Sequence, residues 1–262
     1  MSQTNSIFTP RLKQIRKCIL KNKKTKILKY KVKVNKSKKV SNKDLAKKAF
    51  KIQNKYRKEK GIKALQWSDE VYDFCVYRLK ASGYDGHKNI GRDEIAYFGD
   101  FALYKKMLLS ENMYSGYPNP EDAMRAWKES DGHYENLLSS KHICGAIACS
   151  ESRNIWCAIF VDIDKNELKN WQNYNIKGIT VKRFDSQGGK YISGCTFGYY
   201  EVGNRWGSIQ SAAISKQSGK KIYLEVGKTY VIYEKIKPNG CDKAERITIT
   251  VTEDGDSEII LK

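Results

Sequence analysis

Apolar residues recur at helical spacing through Leu45, Ala49, Ile52 and Tyr56, and Gly61 closes the run as a C-terminal glycine should. The pattern predicts a helix opening near Ser41. Ser68 reads as the N-cap of a second helix, with Val71, Cys75 and Leu79 on one face. A third helix has the clearest start in the chain: Asn119 as cap, Pro120 at the first position, and Glu121 and Asp122 in the first turn, where negative charge complements the helix dipole. It runs through Ala123 and Trp127. After Leu138 the texture changes to two apolar runs, residues 143–149 and 155–161, around a polar turn at 150–154, which predicts a pair of strands. Beyond residue 170 helical periodicity disappears. Short strand-like runs at 179–181, 196–200, 230–233 and 247–251 alternate with glycine- and asparagine-bearing turns, the spacing of a small antiparallel sandwich. The fold class predicted is α+β, with a mixed domain over residues 41–168 and an all-β domain over 175–262, joined near residues 166–178.

Composition changes this picture only at the N-terminus. The formal net charge of +20 belongs entirely to residues 1–60, where 22 Lys and Arg face only Asp44 and Glu59. The rest of the chain is balanced, so the overall charge says nothing about the two domains. Residues 1–40 carry no acidic side chain, and self-repulsion disfavours a packed core there. They read as a solvated, disordered segment, or as an arm of residues 1–60 for a polyanion such as teichoic acid, anionic lipid or nucleic acid. No apolar run approaches a membrane span, so no transmembrane segment is expected. Arg11, Lys13, Arg16 and Lys17 supply the basic start of a signal peptide, but no uninterrupted apolar stretch or small-residue cleavage site follows. Seven cysteines are too few for a disulfide-built scaffold, and the odd count leaves at least one free. Cys149 and Cys157 flank the turn between the two apolar strands and are the disulfide candidates, with Cys144 an alternative partner for either.

The chain has three histidines. His87 sits in a polar loop after the second helix, and His133 follows Glu129 and Asp131 in Trp127-Lys128-Glu129-Ser130-Asp131-Gly132-His133-Tyr134. Glu111 lies in Ser110-Glu111-Asn112-Met113. If these loops converge, two imidazoles and two carboxylates would suit a divalent cation such as zinc, or polarise a water. The bland alternative is loop histidines that hydrogen-bond the backbone. His142 lies outside this set and reads as a surface or capping residue. Trp127, Trp156, Tyr97, Phe98, Phe101 and Tyr104 read as core packing rather than a lipid groove. No serine or cysteine nucleophile is paired with a base in any motif, so proteolysis is not expected.

Six elements in order resemble a bacterial CAP domain, of the cysteine-rich secretory protein, antigen and pathogenesis-related superfamily. They are Asn54-Lys55-Tyr56-Arg57 with Gly61-Ile62-Lys63-Ala64-Leu65-Gln66-Trp67; the His87 loop with Gly91-Arg92; Ser110-Glu111-Asn112-Met113; Pro120-Glu121-Asp122-Ala123-Met124-Arg125-Ala126-Trp127; Gly132-His133-Tyr134-Glu135-Asn136-Leu137-Leu138; and the strands bearing Gly145 and Trp156. Ser110 stands where that family usually has glycine. The resemblance implies an α-β-α sandwich and a cavity lined by His87, Glu111, Glu129 and His133, with Asp131 as the substitute for Glu129. It also implies divalent-metal binding, zinc or another cation.

The C-terminal region resembles the SpaA/Cna-B prealbumin-like repeat of Gram-positive surface proteins. The matching pieces are Val181-Lys182-Arg183-Phe184-Asp185, Ile192-Ser193-Gly194-Cys195-Thr196-Phe197, Leu224 through Glu234, and Pro238-Asn239-Gly240. In that family a lysine on the first strand can form an isopeptide bond with an asparagine on the last, assisted by a glutamate. Here Arg183 takes the lysine position, Lys182 is one register off, and the last strand has no asparagine. No isopeptide bond is expected, and Glu234 is left orphaned.

Both resemblances imply an exported, extracellular or cell-wall-associated protein, a binding or effector module rather than a classical enzyme, with an unknown protein, lipid or cell-wall ligand. The alternatives are a metal-dependent hydrolase with Glu111 or Glu129 as general base, and a nucleic-acid-binding protein working through the basic segment.

Overall fold

The structure is a computed structural model that describes residues 40–262 except 108, 205–208 and 245. The basic segment 1–39, with Cys18 and most of the polyanion-binding expectation, lies outside the described residues. Ser41 opens α1 (Asn42–Glu59) with a capping box: its Oγ accepts the Asp44 amide at 3.2 Å while Asp44 returns a bond to the cap. The far end of α1 is tied down by two residues of the Asn54-Lys55-Tyr56-Arg57 stretch. Asn54 pairs with the Leu65 backbone in both directions, at 3.0 and 2.9 Å. The buried Arg57 guanidinium donates to the carbonyls of Lys63, Leu137 and Ser139 at 2.8, 2.9 and 3.0 Å.

From this anchor follow β1 (Gln66–Trp67), α2 (Asp69–Ala81), α3 (Ile90–Phe98), α4 (Asp100–Lys105), β2 (Leu109–Ser115), α5 (Pro120–Lys128), α6 (Asp131–Leu138), β3 (Cys144–Ser150), β4 (Ile155–Val161) and α7 (Lys165–Lys169). Ser68 caps α2 and Asn119 caps α5, as expected. The strands form one sheet in the order β1-β3-β4-β2. β3 and β4 are buried on both faces, which is why they read as near-continuous apolar runs. Cys144, Ala146, Ala148, Cys157 and Ile159 face a core with Phe74, Leu79, Phe98 and Phe101. Ile147, Cys149, Trp156, Ala158 and Phe160 face the other, with Phe50, Met124, Trp127 and Leu137. Helices therefore cover both sides of the sheet. At Gly145 any side chain would meet the Ile159 carbonyl at 2.6 Å, so the strands close only around glycine.

Strand register and packing overturn two expectations. Cys157 stands opposite Ala148, and Cys149 opposite Trp156, so the two thiols point to opposite faces of the sheet and cannot bridge. All cysteines among the described residues are free thiols. His142 is not a surface residue: it is 5% exposed, with its ring 5.7 Å from that of Phe160.

The second lobe comprises β5 (Ile176–Asp185), β6 (Lys190–Ile192), β7 (Cys195–Glu201), β8 (Gln210–Ile214), β9 (Lys220–Glu225), β10 (Thr229–Ile236), β11 (Ile247–Thr250) and β12 (Glu258–Leu261). One sheet runs β11-β10-β7-β8 and the other β12-β5-β6, with β9 also paired to β5. Val181, Phe197, Leu224, Ile232 and Leu261 fill the space between them. The lobes meet at α4, where the Tyr104 hydroxyl donates to Glu225 at 3.4 Å and Lys106 lies 5.4 Å over the Tyr199 ring. Among the described residues no helix is long and apolar enough to cross a membrane.

Glu234 is not orphaned. Its Oε1 accepts Arg183 Nε at 3.0 Å and its Oε2 accepts the Ala244 amide at 2.8 Å, with both side chains buried. Lys182 faces the other way and pairs with Glu258 at 2.6 Å. Leu261 is the β12 residue opposite Arg183, so no amide side chain stands there. Removing one member of a buried ion pair strands the other charge, at about 3–5 kcal/mol. Glu234→Ala is expected to lower stability by that order in chemical denaturation, whereas Arg183→Met with Glu234→Leu recovers most of the loss. A small effect of Glu234→Ala alone would show the pair to be inconsequential.

Candidate functional site

The site starts from a cation placed inside the protein. Arg78, on the buried face of α2, has a fully buried side chain and holds three carboxylates. Its Nε donates to Glu111 Oε1 at 2.9 Å, and its Nη1 donates to Asp93 at 3.0 Å and to Asp85 at 3.1 Å. The guanidinium, with help from Asn89, pulls the Asp85 carboxyl down to about 2 against the opposing effect of burial. For Asp93 burial pushes upward, but hydrogen bonds from Ser82 and Arg92 and the charge of Arg78 leave it below the usual carboxylate range. Burial works against the positive charge of Arg78, and the surrounding carboxylates more than restore it, so its pKa is raised.

Each carboxylate then positions something. Asp85 accepts the His87 amide at 3.1 Å and both the backbone and side-chain nitrogens of Asn89, at 3.2 and 2.8 Å. This holds a tight loop in which Gly86 and His87 are both left-handed, at φ 66° and 71°. A left-handed non-glycine residue costs roughly 1–2 kcal/mol, and it persists only where the surroundings over-determine it. The strained turn delivers His87 Nδ1 to Glu111 Oε2 at 2.7 Å. His133 approaches from the first turn of α6, its ring 5.9 Å from that of His87 at 60°. Two asparagines tie α6 to β2: Asn112 Nδ2 donates to the His133 carbonyl at 2.8 Å, and Asn136 Nδ2 donates to Asn112 Oδ1 at 2.9 Å. Burial and the neighbouring His87 hold His133 below the ordinary imidazole range.

Three of the four predicted positions thus come together: His87, Glu111 and His133. Glu129 caps the C-terminus of α5, its amide donating to the Arg125 carbonyl, and Asp131 begins α6; both are exposed, and neither side chain makes a hydrogen bond or ion pair among the described residues. Sequence reasoning missed Arg78, Asp85 and Asp93, and saw Asn112 and Asn136 only as motif letters. One signal was present: Arg78 falls at core spacing, seven residues after Val71 on the apolar face of α2.

Two imidazoles at this separation are within the span of one zinc ion, whose bonds to nitrogen are about 2.0–2.1 Å. Among the described residues, however, no group of three or more His, Cys, Asp or Glu side chains is assembled to hold a metal. Both Glu111 oxygens are already engaged, so the pair would have to be completed by water or a ligand. A cleft of ≈ 460 Å³ between the lobes, lined by Tyr104, Glu167, Tyr174, Glu225 and Tyr230, contains none of His87, Glu111, Glu129 and His133, and Tyr104 is part of its wall rather than of the core.

Arg78→Met is expected to cost about 3–5 kcal/mol, because three carboxylates lose their counter-charge in a buried setting. Asp93 supplies a pH test. Its folded pKa lies below its unfolded value of 3.8, so the native state binds fewer protons, and the contribution is full above 3.8 and lost as pH falls below it. Denaturation midpoints should therefore drop as pH falls below 3.8, and Asp93→Asn should flatten that drop; an unchanged slope would refute the assignment.

Residues 50–160 match the model of the cysteine-rich secretory protein (CAP) family, and residues 177–262 match that of the SpaA prealbumin-like fold domain. The chain is 27% identical over 110 residues to the uncharacterized protein YkwD of Bacillus subtilis (strain 168), covering 40% of this chain and 42% of that relative. It is also similar to the solved structure of a cysteine-rich secretory protein from Staphylococcus aureus, at 19% identity and TM-score 0.41, covering 47% of this chain and 40% of that one. The pilus adhesin SpaC of Lactobacillus rhamnosus GG is similar over 30% of this chain and 10% of its own, at 20% identity and TM-score 0.26. In each case the chain spans less than half the length of the relative. The chain thus carries a region matching the cysteine-rich secretory protein family at residues 50–160, where helices cover both faces of a four-stranded sheet, followed by a prealbumin-like SpaA domain at residues 177–262.

Proposed function

We propose that this protein is an exported or cell-surface binding module whose His87 and His133 imidazoles take a divalent cation such as zinc. The observation that carries the reading is the 2.7 Å bond between His87 Nδ1 and Glu111. An ionised carboxylate only accepts hydrogen bonds, so it keeps the imidazole proton on Nδ1 and leaves the lone pair of Nε2 for a ligand. Carboxylates in this outer position orient metal-binding histidines and raise their basicity. The depressed pKa of His133 favours the same neutral, ligand-competent form. Glu129, at the exposed end of α5, and Asp131, at the exposed start of α6, remain the candidates for a further oxygen donor.

Binding is favoured over hydrolysis at this place by the state of Glu111. A general base needs a free lone pair facing the reacting proton. Glu111 is instead clamped between Arg78 and His87. The name of the secretory family matched by residues 50–160 supports export.

Zinc titration of the full chain by calorimetry tests the reading. One ion is expected to bind the wild-type chain, His87→Ala with His133→Ala is expected to abolish binding, and Glu111→Gln is expected to weaken it about 10–100-fold. Absence of binding at millimolar zinc, or binding unaffected by loss of both histidines, would overturn the proposal.

A further inference from the structure

Ser110 Oγ lies 3.0 Å from His142 Nε2, within reach for proton transfer. No sequence motif pairs the two: 32 residues separate them, and the fold brings them together. Ser110 stands on the edge strand β2 opposite Phe160 of β4, and the Phe160 ring supports the imidazole. Glu111 is the next residue along β2, yet successive strand residues face opposite sides of a sheet. Glu111 turns to Arg78 of α2 while Ser110 turns to His142, so the pair is separate from the His87 site.

The imidazole has the properties of a base. Burial pushes His142 below the ordinary imidazole range; the Asn136 backbone and Asp162 oppose that push, and Arg57 and Lys141 add to it. It is neutral at pH 7 and able to take a proton. Its Nδ1 is buried and makes no hydrogen bond of ordinary geometry, and the Asn136 backbone is the group that favours its proton. With no carboxylate on Nδ1, this is a dyad, suited to esters rather than to the more resistant amides. Ser110 and His142 both line a groove of ≈ 590 Å³, with Tyr134 and Leu138 offering apolar surface and Lys141 a cation. That volume falls in the range of small-molecule sites.

We propose that Ser110 and His142 are catalytic residues of a metal-independent site that hydrolyses short acyl esters. Ser110 Oγ bonds to the ester carbonyl carbon as its proton passes to His142 Nε2. The carbon–alkoxy bond then breaks, Nε2 returns the proton to the leaving alkoxide, and the acyl group stays on Ser110. Water attacks the acyl carbon and gives a proton to Nε2. The bond to Ser110 breaks, Ser110 regains the proton, and the carboxylic acid leaves.

The test uses the full chain, a fluorophosphonate probe and p-nitrophenyl acetate, with and without EDTA. Peptide mapping is expected to find the probe on Ser110. Ser110→Ala should keep the wild-type melting curve, lose the label and slow ester hydrolysis at least about 100-fold. The rate should ignore EDTA and hold through the ordinary imidazole range, declining only at more acidic pH. Labelling elsewhere or not at all, full activity in Ser110→Ala, or abolition by EDTA would each overturn the proposal. The labelling arm uses only the wild-type chain, so it stands even if a variant folds poorly. EDTA sensitivity also separates this activity from cation binding at His87 and His133.

Discussion

Arg78 is the constraint on which the first lobe depends. A guanidinium removed from water is costly unless its donors are met, and here three carboxylates meet them from α3, from β2 and from the loop after α2. Because the donors form a rigid planar fork, they dictate where those carboxylates sit. Lysine, a compact point charge, would not impose the same geometry. The loop at Asp85, the edge strand at Glu111 and the start of α3 near Asp93 are therefore located together, and the His87 ring is placed as a result. The strain of a left-handed histidine is the local sign that this placement is imposed from outside the loop.

The sheet supplies the other half of the design. With β3 and β4 covered on both faces, neither has a polar side to spend on chemistry. Functional side chains are pushed to β2, the edge strand, and to the loops beside it. β2 carries Ser110, Glu111 and Asn112 in succession, and the alternation of a strand sends them to different neighbours: His142, Arg78 and the His133 backbone. Three short polar residues thus serve two sites and one structural tie.

Much of this was legible in the chain. Ser41, Ser68 and Asn119 each cap a helix through local hydrogen bonds that depend on a few adjacent residues, and such signals survive folding unchanged. The apolar runs of β3 and β4 were equally plain. What could not be read depends on pairing across distance. The helices α3 and α4 are short and lack a long apolar period, so they escaped notice. The Cys149 and Cys157 pairing failed because one step of strand register decides which face a side chain takes. His87, Glu111 and His133 were found through motif resemblance, whereas Glu129 was carried over by position and its side chain joins none of their hydrogen bonds. His142 was misjudged because burial of a loop residue is set by what packs over it, here Phe160 and the groove wall.

The Arg183–Glu234 pair is a noncovalent tie between β5 and β10. A covalent tie between the outer strands of such a sandwich would halt extension wherever the tie lies. A buried ion pair instead yields once its alignment is lost, and it closes again when tension falls, since no bond has been broken. The contact between Arg183 and Glu234 is of the kind that can re-form, as a severed covalent tie is not.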